Sequence, residues 1–162
     1  MFYPIHVNIL DMNITVVGAG HIAFRKCQIF LEYGKVVTVV AKDFLPAFAE
    51  HKDTLQLVTA TYNKDFITAS HLVIAATNNK DVNKQIADDC KSLGILVNVA
   101  DDASLSTFIV PAYIKRGDLL ISVSTSGKSP STTKKIKQDL EKTYDASYAN
   151  IIENQSKQRR KR

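Results

Sequence analysis

Residues 14–26 read ITVVGAGHIAFRK, and this stretch decides the fold. Ile14–Val17 is a short β-branched run of the type parallel strands use when both faces are covered. Gly18-Ala19-Gly20-His21-Ile22-Ala23 follows it in the pattern G-x-G-x-x-A, a variant of the dinucleotide-binding fingerprint. Each small residue has a physical task there. Gly18 permits the tight turn, Gly20 lets backbone approach a pyrophosphate, and Ala23 lets the next helix pack closely on the sheet. His21 and Ile22 open that helix, whose free N–H groups suit phosphates.

Outward from this turn, apolar runs alternate with helical patterns. HIAFRKCQIFLEYG carries apolar residues on one face and ends at Gly34, which predicts a helix with a glycine stop. Further strands are expected at Val36–Val40, Leu55–Ala60, Leu72–Ala76 and Ile95–Val99, with a helix over Val82–Leu93 between the last two. Strand, helix, strand at this spacing calls for α/β architecture, a Rossmann-like doubly wound parallel sheet. After Pro111 the pattern changes. Ala112–Lys115 and Leu119–Ser124, joined by Arg116-Gly117-Asp118, read as a hairpin, and a charged helix from Pro130 to about Tyr144 follows. A hairpin plus one helix cannot bury enough surface alone, so it must pack on the first domain or on a second copy. The expected division is 1–112 for the nucleotide-binding domain, 113–150 for a small hairpin-plus-helix dimerisation segment, and 151–162 for a basic, disordered tail.

The ribose-binding acid belongs about 20 residues past the glycines, at the end of strand two. The sequence there is VVTVVAKD, so the acid, Asp43, comes two residues late, with Lys42 beside it. These two are the candidates for the ribose, and they leave the choice between NAD and its 2′-phosphorylated form open. Thr77, Asn78 and Asn79 follow the fourth strand, at the carboxyl edge where such sheets bind ligands. They suit ribose or adenine contacts, or equally an Asn-rich turn capping the next helix. Asp101 and Asp102 lie just past strand five. A carboxylate there can take a proton as a hydride leaves a substrate, while one of the pair can instead cap a turn.

Composition narrows the class. Hydrophobic content of 45% with 23% charged residues is that of a soluble globular protein. No apolar run approaches the ~20 residues that span a bilayer, and MFYPIHVNIL has neither a basic start nor a small-residue cleavage site. A cytoplasmic protein without a membrane role is expected, with Cys27 and Cys90 as buried free thiols. The net charge is +5, but IIENQSKQRRKR at residues 151–162 carries +4 of it, leaving +1 for the rest. A basic terminus on a neutral body gives no nucleic-acid footprint. Nor does SVSTSGKSP at 122–130 make an ATPase. A phosphate loop needs glycine five residues before Gly127, where Ser122 stands, and Pro130 has no N–H to offer. What remains is Ser129 as a helix N-cap with Pro130 at the first helical position, an anion site preceded by Lys128. No His/Cys/Glu cluster is spaced to hold a metal.

Five segments together carry a resemblance: YPIHVNIL, VVGAGHIAFRK, VIAATNNKDVN, VNVADD…F…P and VSTSGKSP. In order and spacing they resemble the siroheme synthase N-terminal family, the precorrin-2 dehydrogenases, some of which also act as sirohydrochlorin ferrochelatases. The likeness covers about residues 2–145, with Ala19 where the family usually has a third glycine. It implies NAD-dependent oxidation of precorrin-2 to sirohydrochlorin, with Asp101 as the shared active-site carboxylate and a homodimer formed through 113–150. It also implies an identity for the anion. Precorrin-2 bears eight carboxylates, which Thr125, Ser126, Gly127 and Lys128, with Lys134 and Lys135 beyond, would bind in place of ATP. Longer family members continue into a further helical region, so the end at Arg162 puts chelatase activity in doubt and suggests a separate ferrochelatase. The alternatives are a bifunctional dehydrogenase and ferrochelatase, or a nucleotide-sensing regulatory module of the kind attached to potassium transporters. That second type places its acid where this chain has Ala41.

Overall fold

A computed structural model describes residues 2–159. The chain divides into two compact units between Ile109 and Val110. The expected division after residue 112 would have cut a strand, because Ala112 opens the hairpin of the second unit.

The first unit holds five parallel strands, β1 (Ile14–Val17), β2 (Val37–Ala41), β3 (Leu55–Thr59), β4 (Leu72–Ala75) and β5 (Leu96–Val99), in the order β3-β2-β1-β4-β5. Successive side chains of a strand point to opposite faces, and β1 shows what that achieves. Ile14 and Val16 pack with Ala23, Cys27 and Phe30 of α1 (His21–Leu31), whereas Val17 packs with Ile86, Ala87 and Cys90 of α2 (Lys80–Leu93). The two helices therefore cover opposite faces, and the sheet is doubly wound as the sequence pattern requires. The link from β3 to β4 carries only a short 3-10 turn, Lys64–Ile67. Burial pushes the thiols of Cys27 and Cys90 up to about 12, so neither is a nucleophile at neutral pH.

Element ends differ from the sequence reading where side chains intervene. Helix α2 starts at Lys80 rather than Val82, because Asn79 Oδ1 accepts the N–H groups of Asp81 (2.9 Å) and Val82 (3.2 Å). Helix α1 stops at Leu31, and the chain turns through Gly34 at φ 68°.

Gly18 is fixed by two independent constraints. Its φ is 108°, and a Cβ built there would stand 2.2 Å from the Ala76 carbonyl oxygen. The turn out of β1 is pressed against the end of β4, and backbone cannot yield as a flexible side chain would. Gly18→Ala is expected to destabilise the protein by about 3 kcal/mol or more, a fall of roughly 6–12 °C in Tm, read by thermal unfolding without cofactor. An unchanged Tm would show that the turn relaxes freely.

The second unit begins with the antiparallel hairpin β6 (Ala112–Arg116) and β7 (Leu119–Val123), followed by α3 (Pro130–Thr143) and α4 (Ser147–Arg159). The last helix corrects the expectation of a disordered tail from 151, since it is continuous through Arg159; residues 160–162 lie outside the described residues. Local bonds account for it. Asp145 Oδ1 accepts from the Ser147 N–H (2.9 Å) and hydroxyl (2.6 Å) at the helix start. Glu153 and Lys157 pair at 2.7 Å one turn apart, and the basic residues fall where the helix dipole favours them. Ile114 is the one buried hydrophobic side chain of this unit among the described residues, so the unit has almost no core of its own.

Candidate active site

The carboxyl ends of four adjacent strands meet in an open cleft of about 670 Å³. Its walls come from the turns after β1, β2, β3 and β4, and the gap between β1 and β4 is where the strand order reverses. That is the usual ligand position in a doubly wound sheet.

Gly18 and Gly20 line this cleft for different reasons. Gly18 satisfies the chain's own packing. Gly20 has φ −85° and ψ −175°, open to any residue, and a Cβ there meets nothing within 4 Å. The protein alone does not require glycine at 20. Room has been kept beside the start of α1, and that helix has no side-chain cap, unlike α2. An uncapped helix start with clear space before it fits a pyrophosphate. His21 and Ile22 stand on the first turn with exposed side chains that do not line the cleft, which leaves only their backbone N–H groups for a ligand there.

Lys42 and Asp43 both line the cleft and are exposed, one and two residues past the end of β2 at Ala41. The late position of the acid follows from the strand ending there. Leu45 N–H then bonds the Ala19 carbonyl at 3.3 Å, folding the segment back over the glycine turn.

The Thr77–Asn79 edge divides between the two roles open to it. Asn79 is the α2 cap. The Thr77 hydroxyl donates to Asn83 Oδ1 (2.7 Å) and accepts from the Asn79 N–H (3.2 Å), so it is committed to the turn. Asn78 lines the cleft with an exposed side chain and no bonding partner among the described residues. Of this edge, Asn78 retains free donors and acceptors for a ligand.

The two aspartates after β5 also separate. Asp102 Oδ1 accepts from the Ser104 hydroxyl (2.6 Å) and N–H (2.8 Å), and those bonds hold its carboxyl below the usual range. It caps a turn. Asp101 is exposed and takes one bond, at Oδ1, from the Asn83 amide (3.1 Å); its other oxygen has no partner among the described residues. Asp101 does not line the cleft itself but is tied through Asn83 to Thr77, which does. A carboxylate anchored by one oxygen and open at the other can accept a proton.

In the second unit, Thr125–Lys128 forms a tight turn with the Lys128 N–H bonded to the Thr125 carbonyl (3.1 Å). Ser126 (φ 54°) and Gly127 (φ 81°) both lie in the left-handed region. Much of the polar capacity expected for a ligand is used locally. The Ser126 N–H goes to Ser124 Oγ (3.0 Å), and Thr125 Oγ1 accepts from the Ser129 N–H (3.0 Å). Ser129 stands at the N-cap position of α3, but its hydroxyl donates to Thr132 Oγ1 (2.7 Å) and caps no backbone N–H. The exposed Lys128 ammonium and the Gly127 N–H remain for an anion.

Two residues of the site escaped the sequence reading. Tyr62, past β3, lines the cleft and donates its hydroxyl to Asp89 Oδ2 at 2.9 Å; burial, with that bond, raises its pKa. Nothing in its surroundings marks it in sequence. Asn83 is 1% exposed on α2 and could have been found. It sits on the stripe formed with Ile86, Ala87 and Cys90, a polar residue at an apolar position. No group of three or more His, Cys, Asp or Glu side chains among the described residues could hold a metal ion.

The chain is similar to known proteins along most of its length. The family described as putative NAD(P)-binding matches residues 5–112. Siroheme synthase of Chromobacterium violaceum is 33% identical over 152 residues, 93% of this chain and 32% of that protein. Siroheme synthase of Psychromonas ingrahamii is 36% identical over 143 residues, 86% of this chain and 30% of that protein. The chain thus spans about a third of the length of these curated relatives. Among solved structures, SirC, a precorrin-2 dehydrogenase, superposes with a TM-score of 0.75 at 32% identity, covering 94% of this chain and 76% of that one. With that likeness across nearly the whole chain and the glycine turn standing at the head of its cleft, the chain belongs to the siroheme synthase N-terminal family.

Proposed function

We propose that this protein oxidises precorrin-2 to sirohydrochlorin with NAD as the electron acceptor, in the cytoplasm. The reading is carried by Asp101, an exposed carboxylate with one oxygen anchored and one open, beside a cleft that fits a dinucleotide. The likeness to SirC supports the substrate assignment.

NAD, when bound, supplies the site that accepts a hydride. The chain's residues do the rest. The first-turn N–H groups of α1 at His21 and Ile22 hold the pyrophosphate in the room beside Gly20. Asp43, with Lys42 beside it, takes the ribose hydroxyls, and Asn78 closes the opposite edge. Asp101 removes the proton that must leave the tetrapyrrole as its hydride departs, so one C–H pair of electrons leaves with hydrogen and the other hydrogen leaves as H⁺. In the second unit, taken by itself, Lys128 with the Gly127 N–H is the candidate for binding carboxylates, and the exposed Lys134 and Lys135 extend that charge along α3.

The near absence of a core in the second unit supports homodimerisation through residues 113–150. Within that segment Ile136 of α3 is 39% exposed, a hydrophobic side chain left for a partner copy to cover. Sedimentation of the purified protein should give twice the monomer mass, and a monomer would remove this part of the proposal.

The activity is tested by anaerobic incubation with precorrin-2 and NAD. The sirohydrochlorin spectrum should develop together with NADH absorbance, in equal amounts. A precorrin-2 spectrum that stays unchanged with NAD present would overturn the assignment.

A further inference from the structure

The buried amide of Asn83 uses its whole hydrogen-bonding capacity on two residues. Its Oδ1 accepts from the Thr77 N–H (3.0 Å) and the Thr77 hydroxyl (2.7 Å). Its Nδ2 donates to the Thr77 carbonyl (3.1 Å) and to Asp101 Oδ1 (3.1 Å). The Thr77 N–H can only donate, so it dictates which end of the amide is oxygen. The end that faces Asp101 is then necessarily the NH₂ group. With the side chain 1% exposed, the amide cannot turn away to water.

We propose that Asn83 is a positioning residue: it fixes the Asp101 carboxyl by one oxygen and ties that carboxyl to the cofactor edge at Thr77. The inference rests on Asp101 being the reacting carboxylate. Two segments outside the strands and helices are coupled through one buried side chain. The 101–109 segment after β5 is loop, and Asp101 is exposed on it. The Thr77 edge is a turn between β4 and α2. Helix α2 is packed on the sheet through Ile86, Ala87 and Cys90, and it lends its rigidity to both. A donor at Asp101 Oδ1 leaves the other oxygen to accept the substrate proton, in a fixed direction relative to the cleft. Small displacements of a reacting group are costly in rate.

Three variants test this: Asn83→Asp, Asp101→Ala, and the two combined, each assayed for kcat and for the KM of NAD. Asn83→Asp keeps both acceptor bonds to Thr77, loses the donor bond to the Thr77 carbonyl, and replaces the donor at Asp101 with a second carboxyl group. The expected result is a fall in kcat of about 10- to 100-fold, with the KM of NAD within about threefold of the wild type. In the Asp101→Ala background the same change should lower the residual rate by less than about twofold, because the group it positions is gone. Normal kcat in Asn83→Asp, with Asp101→Ala inactive, overturns the positioning role and leaves Asp101 standing. Normal turnover in Asp101→Ala overturns the reading beneath it. A further large loss in the double variant shows that Asn83 acts on folding or on the cofactor edge alone, which also overturns the proposal. If Asn83→Asp does not fold, the side-chain amide resonances of Asn83 decide the matter. They should shift in Asp101→Ala, and unchanged resonances would refute the contact.

Discussion

Asp101→Ala is expected to lower kcat for precorrin-2 oxidation by about 10²–10⁴-fold, the usual contribution of a positioned general base. The dissociation constant of NAD should stay within about twofold. The asymmetry comes from where the carboxylate stands: past β5, bonded among the described residues to Asn83 alone, and outside the residues that line the cleft. Removing it leaves Gly20, the α1 start and the β2 edge untouched. Asp102→Ala is the matched control. That carboxylate is spent on Ser104, so its loss should loosen the local turn and leave turnover within a few-fold of the wild type. Steady-state assays of both variants with saturating NAD make the comparison. Near-normal kcat in Asp101→Ala combined with inactivity in Asp102→Ala would transfer the role to the second aspartate, and the hydroxyl-capped geometry would have to open during the reaction.

That pair also shows where sequence reading reaches its limit. Two adjacent acids after a strand have the same sequence position relative to the sheet edge, and spacing alone cannot rank them. Ser104 decides between them, through an Asx turn that forms only once residues 102–104 have folded. The doubly wound parallel sheet was legible for the opposite reason. β-Branched runs such as Ile14–Val17 and Val37–Val40 alternating with amphipathic helices admit few arrangements, whereas the order β3-β2-β1-β4-β5 depends on which strands pair and is seen only in the structure. The tail was misread because charge dominated it. Five basic residues in twelve suggest solvated coil, yet the Asp145–Ser147 bonds before the helix and the Glu153–Lys157 pair are short-range helix determinants that a count of charges ignores. The roles of Thr77 and Asn83 were hidden for a third reason. Both depend on a hydrogen-bond network that crosses from a turn to a helix to a loop, with Asn83 and Asp101 lying 18 positions apart in the chain.

Gly20→Asp should separate folding from cofactor binding more sharply than any other single change. For the protein alone the substitution is mild or favourable. Gly20 occupies the N-cap position of α1 in extended backbone, with open space where a side chain would go. Aspartate is among the best N-cap residues, and its charge suits the positive end of the helix dipole. The Tm without NAD is therefore expected to hold or to rise by about 1–3 °C. For the cofactor the same side chain is ruinous. It fills the room the pyrophosphate needs, satisfies the N–H groups meant for phosphate, and adds a like charge. One unit charge at about 4 Å, with an effective dielectric constant near 20, is worth about 4 kcal/mol, or about 10³-fold in affinity. Titration calorimetry with NAD and thermal unfolding on the same sample read the two effects together. Gly18→Ala should give the reverse pattern, because its Cβ collides with the Ala76 carbonyl whether or not NAD is present. Binding retained in Gly20→Asp would mean that the open space at the start of α1 is no phosphate site, and that the dinucleotide must lie elsewhere along the sheet edge.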